Sequence, residues 1–196
     1  MIGILALQGD FQAHAGALAR LDAPSRFVRT PEDLAAVSAL ILPGGESTTL
    51  LRLLESEGLW EPLRQFGQSH PMMGTCAGAI LMADAVENPA QPSFGFIRMT
   101  VRRNAYGRQL SSSIRHAEVS SRLNGDQRPG APLEAVLIRA PIITEVGPAV
   151  EVLASLEGHP ILVLQGHFLA ATFHPELTAD VRVHRYFQRI VSGRAA

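Results

Sequence analysis

Three short apolar runs, each closed by a turn that carries glycine and each leading into a helix-forming stretch, leave this chain few architectures. The first is Ile2-Gly3-Ile4-Leu5-Ala6-Leu7, ending in Gln8-Gly9. The second is Ala39-Leu40-Ile41-Leu42, ending in Pro43-Gly44-Gly45. The third is Pro71-Met72-Met73-Gly74-Thr75, ending in Cys76-Ala77-Gly78. Runs that stay apolar without alternating read as strands covered on both faces, as central parallel strands are. Alternation of such strands with helices predicts an α/β fold: a three-layer, open and mainly parallel sheet flanked by helices. Ligands on such sheets sit beyond the carboxyl ends of the strands. Gln8-Gly9, Gly44-Gly45 and Cys76 are therefore expected to converge.

The intervening segments carry helix signals. Phe11, Ala15, Leu18 and Ala19 fall on one helical face after Gly9-Asp10. Thr30-Pro31-Glu32-Asp33 reads as a helix start, with threonine as cap, proline in the first turn and acids near the positive pole. Leu50, Leu51, Leu53 and Leu54 follow the second glycine turn, with Ser47 as the expected cap, and a further helix runs through 59–66. Residues 26–28 read as a short strand. The second half changes character: 96–101, 133–139, 150–156, 161–165 and 169–172 read as extra strands joined by turns, which makes them antiparallel. Segment 111–132 is polar, carries Asn124-Gly125 and Arg128-Pro129-Gly130, and reads as a partly mobile surface excursion. Val183, Tyr186, Phe187 and Ile190 form the apolar stripe of a closing helix. No repeat or linker interrupts the pattern, so one domain over 1–196 is expected.

Composition excludes several function classes. A formal net charge of -1 supplies no general attraction for nucleic acid or anionic membrane. The single cysteine rules out an internal disulfide framework and suits a reducing cytoplasm. The apolar start lacks a basic lead-in and is too short for a signal peptide or membrane span. The chain has no lysine, which excludes a Walker phosphate loop and Schiff-base catalysis within it.

Gly74-Thr75-Cys76-Ala77-Gly78 between a strand and a helix matches a nucleophile elbow with cysteine in place of serine. Gly74 and Gly78 have no Cβ to collide where strand and helix pass closely. A thiol at a helix N-terminus faces the positive end of the macrodipole, which favours the thiolate. Alone, the motif also fits a small buried cysteine. Far away in sequence, Thr172-Phe173-His174-Pro175-Glu176 supplies a base and a carboxylate. Pro175 keeps His174 extended, so Glu176 at i+2 points the same way and can orient the imidazole. Alone, this too fits a loop histidine before a helix-starting Pro-Glu; the two motifs together point to Cys76, His174 and Glu176 as a catalytic triad. The Gly44-Gly45 turn opens a helix and can also aim a backbone N–H at a developing oxyanion, joined by the N–H of Ala77. His159, His167, His174 and His184 are too irregularly spaced for a zinc motif, and no metal or cofactor is expected.

These stretches together make the chain resemble the class I glutamine amidotransferases, which implies their flavodoxin-like three-layer fold. The resemblance also includes Gly3-Ile4-Leu5-Ala6-Leu7-Gln8-Gly9, Leu40-Ile41-Leu42-Pro43-Gly44-Gly45-Glu46-Ser47-Thr48-Thr49, Arg103-Asn104-Ala105-Tyr106-Gly107-Arg108-Gln109, Ile138-Arg139-Ala140-Pro141 and Phe173-His174-Pro175-Glu176-Leu177-Thr178. Within that family it is most similar to the glutaminase subunits of pyridoxal 5′-phosphate synthases. The resemblance implies Cys76 as nucleophile, His174 as base and Glu176 as its partner. It also implies glutamine contacts at Gly45, Glu46, Ser47, Arg103, Ile138 and Arg139, and a separate synthase subunit that receives the ammonia. Either arginine could hold the α-carboxylate of glutamine in a bidentate grip, and either could be a surface charge flanking a strand. Two alternatives stay open from sequence: a glutaminase serving another synthase, such as the imidazole glycerol phosphate one, and a non-catalytic binding subunit on the same fold.

Overall fold

The computed structural model describes residues 1–103, 112–124 and 131–194. In chain order it runs β1 (Ile2–Leu5), α1 (Phe11–Ala19), β2 (Ser25–Val28), α2 (Pro31–Ala35), β3 (Ala39–Leu42), α3 (Ser47–Ser56), α4 (Trp60–Phe66), β4 (Met72–Thr75) and α5 (Ala77–Met82). The second half adds β5 (Ala83–Glu87), β6 (Ile97–Arg102), β7 (Ser112–Val119), α6 (Ser121–Asn124), β8 (Leu133–Ile138), β9 (Ile142–Val146), β10 (Glu151–Leu156), β11 (His159–Gln165), β12 (Phe168–Ala171) and α7 (Arg182–Val191).

One nine-stranded sheet has the order β2-β1-β3-β4-β12-β11-β10-β7-β8, and β5-β6-β9 form a smaller sheet. The large sheet is parallel from β2 to β12 and antiparallel beyond it. That is the mixed α/β architecture anticipated from the apolar runs. Strand β3 explains the layers. Successive side chains point to opposite faces, so Leu40 and Leu42 join Leu50, Leu54 and Met82 in one core while Ala39 and Ile41 join Leu18, Val183 and Phe187 in the other. Helices α3 and α5 cover the first face; α1 and α7 cover the second.

The expected helix start at Thr30 is present: its hydroxyl accepts from the Asp33 N–H at 3.2 Å, with Pro31 first in the helix. The structure departs from the sequence pattern at four points. The cap of α3 is Glu46 rather than Ser47, because a carboxylate one residue earlier reaches both Thr48 and Thr49 N–H groups. The helix after Cys76 stops at Met82, and Ala83 begins β5. Strand β9 was not anticipated. The excursion over 111–132 contains β7, paired along β8 and touching β10, and the short α6. Strand β7 escapes a hydrophobicity pattern because it buries little: Ala117 is buried but Ile114 is 64% exposed.

Candidate active site

The carboxyl ends of β1, β3 and β4 do converge, and glycine is what lets them. A Cβ on Gly9 would stand 2.0 Å from the Gly44 carbonyl oxygen, and one on Gly78 would stand 2.1 Å from that of Leu42. Real Cβ atoms do not approach so closely, so any side chain there would push the turns apart. The Gln8 side-chain amide donates to the Glu46 carbonyl at 2.8 Å, tying the first turn to the second.

Cys76 sits at the apex of the turn from β4 to α5 with φ 47 and ψ -103. Such a positive φ is strained for a non-glycine residue and persists only where the surroundings fix it. Its backbone N–H donates to Ala171 of β12 at 2.8 Å, one of the contacts that fix it. His174 follows β12, and its own N–H donates to Val136 of β8 at 2.9 Å. The His174 ring lies over Gly44: a Cβ on that glycine would be 2.4 Å from the ring Cε1 and 3.2 Å from Cys76 Cβ. Gly44 thus forms the floor on which thiol and imidazole meet. Glu176, in a 3₁₀ turn over Pro175–Leu177, places Oε1 2.7 Å from His174 Nδ1. The segment turns rather than running extended past Pro175, yet the carboxylate reaches the ring as expected. Burial alone would lower the His174 pKa; hydrogen bonds to Cys76 and Glu176 outweigh it and raise the value to about 10. Sulfur, imidazole and buried carboxylate thus stand within reach of one another, an arrangement that can activate a nucleophile.

Cys76 and His174 line a cavity of about 140 Å³ together with Gly45, Glu46, Ser47, Arg103, Ile138, Arg139, Ile80 and Pro141. Glu176 stands behind His174, 5% exposed. Ala77 lies buried as the first residue of α5 and does not line the cavity. Its N–H is one of the helix-start donors without an intrahelical acceptor. Arg103 donates through Nη2 to Glu46 Oε1 at 3.1 Å and to Thr48 Oγ1 at 2.9 Å. Burial would raise the Glu46 pKa, but the N–H groups of Thr48 and Thr49 overcome it and hold the value at about 2. Arg139, at φ 45, has no hydrogen bond or ion pair among the described residues. The stretch from Asn104 to Gln109 lies outside the described residues. No cluster of three metal-ligating side chains occurs among the described residues.

Sequence reasoning missed Ile80 and Pro141. Ile80 carried a signal, since it lies one helical turn after Cys76 on the same face. Pro141 had only its place beside Arg139.

A family model described as the SNO glutamine amidotransferase family matches residues 4–192. The chain belongs to this family. Relatives named "Pyridoxal 5'-phosphate synthase subunit PdxT" include one from Koribacter versatilis (strain Ellin345), 55% identical over 97% of this chain and 95% of the relative. Another, from Solibacter usitatus (strain Ellin6076), is 54% identical over 95% of this chain and 96% of its own length. Among solved structures, one titled "Crystal structure of glutamine amidotransferase" superposes with TM-score 0.87 at 44% identity, covering 97% of this chain and 98% of that one. A structure titled "Crystal structure of a putative gmp synthase subunit a protein (ta0944m) from thermoplasma acidophilum at 2.45 A resolution" shares the fold at TM-score 0.71 and 18% identity, covering 98% of this chain and 94% of that one.

Proposed function

We propose that this chain is the glutaminase subunit of a pyridoxal 5′-phosphate synthase, acting as one domain over 1–196. The Cys76 thiolate attacks the side-chain amide carbon of glutamine. His174 protonates the departing nitrogen, which leaves as ammonia. His174 then takes a proton from water, which attacks the γ-glutamyl thioester and releases glutamate, regenerating the thiol. Glu176 holds the imidazole in place throughout. The backbone N–H groups of Gly45 and Ala77 are the oxyanion donors in this reading. The ammonia passes to a separate synthase subunit, where the carbonyl–amine chemistry needs a lysine this chain does not have. No metal or cofactor takes part in the steps assigned to this chain.

One observation carries the reading: sulfur, imidazole and the substrate-contact residues line a single cavity, with the carboxylate directly behind the imidazole. The two arginines divide the work. Arg103 is already committed to Glu46 and Thr48, so it shapes the wall. Arg139 has no such commitment among the described residues and grips the glutamine α-carboxylate. The reading puts the subunit in the reducing cytoplasm, where a free thiol persists. No described helix is long and apolar enough to cross a membrane.

Cys76→Ala tests the proposal. Glutamine hydrolysis is expected to vanish, while the complex with the synthase subunit still makes product from ammonium salts. Retained glutaminase activity in that variant would refute it. Adding the synthase subunit to the wild-type chain is expected to raise turnover, by bringing the Gly44-Gly45 backbone into donor geometry.

A further inference from the structure

Behind the triad lies a second polar group that the reaction as written does not use. His14 on α1 and His184 on α7 are both 0% exposed, in a core otherwise built of Leu18, Val183, Tyr186 and Phe187. Two imidazoles in such a place are costly unless they are hydrogen-bonded. His14 Nδ1 lies 3.0 Å from His184 Nε2, and His14 Nε2 lies 3.2 Å from Thr75 Oγ1. Nε2 is also 3.5 Å from Oε2 of Glu176, the carboxylate oxygen that does not face His174. That oxygen is buried and has no hydrogen-bond partner among the described residues.

The proton positions follow from these contacts. His14 is neutral: burial pushes its pKa well down, and the neighbouring His184 and His174 push the same way. Burial likewise lowers His184, to about 4, with Arg20 adding to the effect. A bare nitrogen lone pair turned toward a buried carboxylate oxygen would repel it, so Nε2 of His14 carries the hydrogen. Nδ1 must then accept, and Nε2 of His184 donates to it. This leaves His184 Nδ1 as a lone-pair acceptor without a partner among the described residues. The opposite assignment would leave a buried N–H unpaired there, which is rarer in proteins than an unpaired acceptor.

We propose that His14 is a positioning residue for the triad: its Nε2–H, oriented by His184, faces the free oxygen of Glu176 and keeps the other oxygen on His174. At 3.5 Å the contact is longer than a good hydrogen bond, so the hold is electrostatic and orientational. Without it, Glu176 would keep one buried oxygen with no donor facing it, and its rotation would rest on the His174 contact alone. His174 would then lose its alignment toward Cys76. Helices α1 and α7, on the far side of the sheet from α5, thereby contribute to the reactivity of the thiol. The proposal rests on the glutaminase reading above.

The test reads both geometry and catalysis. In ¹⁵N-histidine spectra of the wild-type chain at about pH 7, His14 is expected as the neutral Nε2–H tautomer. An Nδ1–H tautomer, or a doubly protonated ring, overturns the proposal without any variant having to fold. In the complex with the synthase subunit, His14→Leu is expected to lower kcat for glutamine hydrolysis roughly ten- to a hundredfold, the scale typical of residues that orient site groups. KM for glutamine should change by no more than about twofold, since substrate contacts are untouched. His14→Gln, whose side-chain amide can put an N–H near the position of Nε2, is expected to recover kcat to within about threefold of wild type. An unchanged kcat in His14→Leu, or a glutamine variant as impaired as the leucine one, overturns the proposal. Absence of glutaminase activity in the wild-type complex would instead count against the glutaminase reading, and the tautomer spectrum would still decide the His14 geometry.

Discussion

The parallel and antiparallel halves of the large sheet each bring one reactive group to the cavity, by different means. In the parallel half, Cys76 follows β4 by a single residue and Gly45 follows β3 within the next few, so each site atom is placed by a local strand-to-helix turn. Those turns pack backbone against backbone, with Gly9, Gly44 and Gly78 at contacts too close for a Cβ. In the antiparallel half, His174 is held by the pairing of β12 with β11 and by the carbonyl of Val136 on β8, a strand distant in sequence. Its turns are open: a Cβ at Gly158 or Gly166 would meet nothing within 4 Å. The placement of Cys76 thus depends chiefly on local steric precision, and that of His174 on long-range strand pairing.

After loss of the thiol itself, removing the imidazole should give the largest effect. His174→Ala is expected to lower kcat for glutamine hydrolysis about a thousandfold, within the range for loss of a general acid–base group. Its unfolding midpoint should fall without loss of the fold, because Glu176 would keep a buried carboxylate without its partner. Loss of fold in this variant would break the comparison. Next comes Gly78→Ala, whose Cβ would sit against the Leu42 carbonyl. It should cost about 3 kcal/mol in urea unfolding, at the upper end for overpacking. Gly158→Ala, where only the φ of +81 is at stake, should cost about 1 kcal/mol. Equal losses would erase the difference between the halves.

Arg139→Ala should raise KM for glutamine about thirtyfold, the loss of a charge-assisted carboxylate contact. Arg103→Ala should instead lower stability, through Glu46 and Thr48, with a smaller effect on KM. The smallest effect belongs to the cap of α3. Glu46→Gln should cost about 1 kcal/mol at neutral pH, as a lost N-cap does. The Glu46 carboxyl is depressed on folding, so its contribution is present above its unfolded value and fades as pH falls toward about 2. Unfolding of wild type and variant at neutral pH and near pH 3 checks the sign: the gap should narrow in acid.

This contrast also explains what could be read from the sequence. The parallel half announced itself because each strand is a buried apolar run next to a glycine turn, so β1, β3, β4 and the positions of Gly45 and Cys76 followed from adjacent residues. His174 and Glu176 were legible from Pro175, but their meeting with Cys76 depends on β12 lying beside β4, which local pattern does not encode. Strand β7 was hidden because its two faces are mostly wet and polar, and β5 because Ala83 continues a helix-forming run. The commitment of Arg103 to Glu46 was invisible, since only the tertiary structure brings those side chains together.

The most direct measurement is the rate at which a glutamine-shaped electrophile labels Cys76 in the complex, followed by mass spectrometry in the wild type and in His174→Ala. A single adduct on Cys76, blocked by excess glutamine and formed at least about a hundredfold more slowly without the imidazole, is the predicted result. Labelling at the same rate in both proteins would mean that the sulfur of the parallel half and the imidazole of the antiparallel half do not work as a pair.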